Sequence, residues 1–105
     1  MKPRHAAALA LVGWYLIAPP VREPGRKEPD YLDEHAAYRD WKLIYVLNSQ
    51  DECERLREWI KERMAAQGGA ADLEEEQLVE AECFASDDPR IKGIDQHALI
   101  APRPR

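Results

Sequence analysis

The chain has 105 residues, with 15 basic and 20 acidic side chains and a net charge of −5. That length holds one small domain, whose modest core often needs a covalent or metal staple. Residues 1–20 carry Lys2 and Arg4; without them the remainder stands at −7, a balance that repels nucleic-acid phosphates, so no nucleic-acid partner is expected.

The chain opens with Lys2 and Arg4, followed by the uncharged and mainly apolar stretch Ala6 to Ala18 (AAALALVGWYLIA), which Pro19-Pro20 ends. A basic start, an apolar middle and a helix breaker form the layout of a secretory signal, so residues 1–20 are expected to be a signal peptide or a signal-anchor helix. A cut after Ala18 would have Leu16 two residues before it and Pro19 just after it, both poor for a signal peptidase. The missing cleavage site favours a retained anchor. A full span takes about 20 apolar residues, and Ala6 to Val21 supplies sixteen. Bilayer thinning, with Trp14 and Tyr15 toward the interface, would accommodate the shortfall. The expectation is therefore an inner-membrane protein, single-pass through residues 6–21, with its body in the periplasm. The alternative is secretion to the periplasm after cleavage.

Residues 21–40 read as a linker. The stretch leading into it, residues 19–30 (PPVREPGRKEPD), holds four prolines and a glycine among charges, which favours stiff, extended, solvated chain. YLDEHAAYRD carries only a weak helical signal. WKLIYVL (41–47) is compact, apolar and rich in β-branched and aromatic residues, which predicts a short strand near 42–47.

Ser49 and Glu52 stand at capping-box spacing, and Cys53, Leu56, Trp59, Ile60 and Met64 follow as one apolar stripe. Gln67-Gly68-Gly69 ends this element, a helix over 50–67. Asp72 caps a second helix over about 72–82, with early glutamates suited to the positive end of its dipole. Val79, Ala81, Cys83 and Ala85 then alternate, so its end converts to a strand near 81–85. SDDPR (86–90) is a turn, and residues 91–105 read as a flexible tail. The fold class expected is mostly α with minor β: a membrane-segment helix plus a small disulfide-linked helical hairpin within a 41–90 domain.

The two cysteines, Cys53 and Cys83, have their midpoint at the Gly68-Gly69 break. Two elements running out and back around that break bring the sulfurs level, which predicts a disulfide that clamps the open end of the hairpin. Trp41 ahead of Cys53-Glu54 with Arg57, then Cys83 to Arg90 (CFASDDPR), after the opening ALALVGWYLIAPP, resembles a group of short, uncharacterised bacterial exported proteins. The resemblance covers most of the chain apart from the linker and residues 65–80. It implies export and the paired cysteines, and it brings no catalytic residue with it.

The remaining candidate sites have plain structural readings. Asp87-Asp88 would suit calcium only with more oxygen ligands nearby and otherwise cap a turn. Glu74, Glu75 and Glu76 form a solvated face. His35 and His97 with the cysteines match no zinc spacing. Trp41, Tyr45 and Trp59 read as core. No cofactor and no catalytic residue is assigned. The function expected is a non-enzymatic interaction or structural module of the cell envelope, whose partner is an unknown envelope protein. The alternative is a periplasmic thiol-redox or metal-handling accessory that uses Cys53 and Cys83.

Overall fold

The computed structural model describes residues 12–96. Its first element overturns the expected membrane helix. Trp14–Ala18 is a β-strand (β1), and it is the middle strand of a three-stranded antiparallel sheet. On one side it pairs with β4 (Lys42–Leu47), on the other with β5 (Glu82–Ala85). Leu16, Ile17 and Ala18 have no solvent exposure. Their apolarity serves a sheet covered on both faces, where strands lose polar alternation and read as continuous hydrophobic runs. Among the described residues no helix is long and apolar enough to cross a membrane. The single-pass placement is corrected accordingly. Release by cleavage after Ala18 is corrected too, because it would remove the centre of the sheet. Residues 6–11 of the expected span lie outside the described residues.

Successive residues of β1 feed two separate cores. Leu16 and Ala18 pack with Ile44, Leu47, Cys53, Ile60 and Ala81 on one face. Ile17 packs with Trp41, Leu43, Phe84, Ile91 and Ile94 on the other. The β1–β4 register shifts between Leu16, opposite Tyr45, and Ile17, opposite Leu43, which leaves Ile44 as an extra residue. This bulge turns Ile44 and Tyr45 toward the same core and explains why WKLIYVL shows no alternation. Both flanking strands run opposite to β1, so β4 and β5 are parallel to each other across it. The chain between them carries two helices, α1 (Gln50–Ala66) and α2 (Leu73–Val79). The result is a split β-α-β unit built around the first strand.

Both helices use the same start. The Ser49 hydroxyl accepts from the Glu52 amide at 3.1 Å, and the Glu52 carboxylate accepts from the Asn48 amide at 2.9 Å. Asp72 accepts from the Glu75 amide at 2.9 Å, and Glu75 accepts from the Ala71 amide at 2.8 Å. The reciprocal bond of each capping box thus reaches one residue further back than the motif prescribes. Helix α1 ends in a Schellman motif. Gly69 N–H donates to Met64 O at 2.8 Å and Gly68 N–H to Ala65 O at 3.1 Å, with Gly68 at φ 96°. The second helix stops at Val79, short of the expected 82, and the alternating residues after it become β5.

The proline-rich stretch is extended but paired with itself. Short strands β2 (Val21–Arg22) and β3 (Tyr31–Leu32) form an exposed hairpin arm, closed by an Arg22–Asp33 ion pair at 3.0 Å. Pro19 and Pro20 end β1 without orphaned carbonyls. Gln77 donates to Pro19 O at 2.7 Å and Asp33 N–H donates to Pro20 O at 2.9 Å. The expected tail is corrected at its start: Ile91 and Ile94 are core residues, and residues 97–105 lie outside the description. The fold class is therefore a sheet-centred α+β unit, where a helical hairpin beside a membrane helix had been expected.

Candidate functional site

Cys53 and Cys83 form a disulfide with a Cα–Cα distance of 6.1 Å. It joins the first turn of α1 to β5, so its partners are a helix and a sheet edge, where the sequence had suggested two arms of a hairpin. Arg57 adds a parallel link, its Nε donating to Ala81 O at 2.9 Å. Cys53 has no exposure and sits in the apolar core under α1. A thiolate left there on reduction would be desolvated, which suits a structural bridge and opposes rapid thiol exchange.

Ser86, Asp88 and Arg90 of the SDDPR turn hold the fold. Ser86 exchanges two hydrogen bonds with Gly13: its amide donates to Gly13 O at 2.8 Å and its hydroxyl accepts from Gly13 N–H at 3.1 Å. This closes the β1–β5 pair at its end. Asp88 caps the turn Pro89–Ile91 and grips Arg90 through both carboxylate oxygens, at 3.1 and 2.7 Å. The hydrogen bond from the Arg90 side chain does most to hold the Asp88 carboxyl below its ordinary value. The guanidinium so fixed lies 4.7 Å from the Phe84 ring centre and roofs the second core. With both Asp88 oxygens engaged, the pair Asp87-Asp88 offers no calcium cradle.

Other expected positions resolve in the same way. Glu75 leaves the solvated face and braces the helix junction, accepting from Gln67 Nε2 at 2.8 Å. His35 is exposed and His97 lies outside the description. Among the described residues no three His, Cys, Asp or Glu side chains gather in a metal-binding group. Trp41 is core as expected, its indole N–H donating to Ala36 O at 3.0 Å.

Trp59 is the exception. It is 54% exposed, although it stands in the stripe expected to be core. It borders a groove of about 160 Å³ along the C-terminal half of α1, with Leu56, Ile60, Met64 and Arg63 from the same helix. Tyr45 from β4 and Leu78 from α2 close the opposite wall. The Arg63 guanidinium carbon lies 5.4 Å from the Trp59 ring centre, so the two side chains stack along the rim. The helical wheel carried the signal: position 59 is turned about 120° from Cys53, at the edge of the stripe and away from its centre. This groove is suited to receiving another molecule, since it combines an apolar floor, an exposed aromatic and a cation. No family model, curated protein or solved structure matches the chain.

Proposed function

We propose that this chain is a non-enzymatic interaction module that holds an apolar anchor of a partner polypeptide in the α1 groove. The observation that carries the reading is Trp59, an exposed indole set beside a preformed apolar hollow. Tryptophan and arginine dominate the energetics of protein–protein contacts, and here they stack on each other at the rim. The hollow is small, so the anchor is a single side chain. The disulfide supports the role by fixing α1, which supplies most of the groove, to the sheet.

The test is a titration of the oxidised protein with N-acetylphenylalaninamide, followed by amide and methyl NMR shifts. The expected result is saturable shifts confined to Trp59, Leu56, Ile60 and Leu78, and their loss in Trp59→Ala with the rest of the spectrum unchanged. Shifts scattered over the surface, or shifts that persist in Trp59→Ala, would refute the reading.

A further inference from the structure

The groove has a size and a charge, and together they describe its occupant. An apolar cavity of about 150 Å³ takes one benzene-sized group, and this groove measures about 160 Å³. Arg63 is the one charged residue in its lining. The ion pairs among the described residues use Arg22, Arg55, Arg57 and Arg90 and leave Arg63 without a carboxylate. Its guanidinium stacks over Trp59, which orients the group along the rim but satisfies none of its in-plane N–H donors. That sets one cationic side chain at the rim of an apolar hollow. Tyr45, on the facing wall, belongs to β4, and among the described residues β4 has a strand neighbour on one side only. An extended segment laid along that edge would direct alternate side chains to the groove side.

We infer that the groove takes a phenyl- or leucyl-sized side chain with a carboxylate beside it, presented by an extended, acidic segment of a partner polypeptide. The inference rests on the groove being a peptide-binding site, as proposed above, and adds the chemistry of the partner. The side chain fills the hollow between Leu56, Ile60 and Leu78, and the carboxylate bonds the outward N–H groups of Arg63.

Three ring-bearing probes of one size test the charge: N-acetylphenylalanine, its neutral amide and phenethylamine, each titrated into the full oxidised chain at low salt and followed by NMR. The acid should bind about two- to fivefold more tightly than the amide, the range expected for one exposed ion pair. The amine should be the weakest. The acid–amide difference should vanish in Arg63→Gln and in 1 M NaCl. Equal binding of acid and amide overturns this inference while leaving the proposed function standing. Absence of binding by all three overturns both. A second comparison tests the source of the carboxylate: hexanoate against an acetylated, amidated pentapeptide with Phe second and Asp fourth, two apart so that both side chains of an extended chain face the groove. Tighter binding of the peptide supports a polypeptide partner. Equal or tighter binding of hexanoate assigns the groove to small free acids and overturns it.

Discussion

Reducing the Cys53–Cys83 bridge perturbs the fold in a way whose size follows from the chain. The bridge closes a loop with a sequence separation of 30. In the chain-entropy treatment, a loop of about 30 residues removes about 12 cal/mol/K from the unfolded ensemble, or about 3.6 kcal/mol at 25 °C. A domain of this size has about 4–13 kcal/mol of net stability in total. Reduction should therefore consume a large share of it and lower Tm by about 15–25 °C. The assay is urea unfolding followed by tryptophan fluorescence, with and without a phosphine reductant, and repeated on Cys53→Ala/Cys83→Ala. The reduced form should unfold at lower urea with a steeper slope, because its unfolded chain expands. A difference under about 1 kcal/mol between oxidised and reduced protein would show that α1 and β5 are held by packing and the Arg57–Ala81 bond alone, and would refute the entropic account.

Three further outcomes follow from the same structure. In oxidised protein, Leu16→Ala should cost about 3–5 kcal/mol in urea unfolding, because it empties the centre of the sheet, whereas Trp59→Ala should cost under about 1 kcal/mol. Gly68→Ala meets no neighbouring atom but forces a side chain onto φ +96°. It should cost about 1–2 kcal/mol, measurable as a fall in Tm. Asp33 and Asp88 are held below their ordinary values chiefly by hydrogen bonds from Arg22 and Arg90. Carboxyls depressed on folding contribute stability that is present above about pH 4 and is lost as pH falls through their folded values. Thermal unfolding from pH 5 to pH 2 should show this loss, and Asp88→Asn should flatten part of it.

The helix starts, the Schellman end, the strand at 42–47 and the bridge were legible because each is written locally or by simple spacing. Ser49 and Glu52, Asp72 and Glu75, and Gly68 are signals of a few residues, and they mean the same thing in any fold. The first strand was not legible for the opposite reason. An apolar stretch buried on both faces has no alternation, so Trp14 to Ala18 offered the same pattern as the middle of a leader sequence. Its aromatic and β-branched content, Trp14, Tyr15 and Ile17, was the available hint of a strand. Ile91 and Ile94 were hidden because two isolated isoleucines make no period. Trp59 was misplaced because a stripe shows which face of a helix is apolar and leaves open how wide the facing core is. SDDPR reads as a turn from its own residues, whereas the bonds of Ser86 to Gly13 were hidden because they join positions 73 residues apart.

The order of strands across the sheet also bears on how the protein is made. β1 leaves the ribosome well before β5, the strand that closes its second edge from Trp14↔Ala85 to Ile17↔Glu82. At about 5–20 residues per second, roughly 4–14 s separate the two events. Throughout that interval a nascent WYLIA segment is without one of its two hydrogen-bonding neighbours and without the Phe84 side of its packing. A chaperone bound to this segment and released only after Ala85 emerges would speed productive folding, and one that dissociates earlier would leave it open to aggregation.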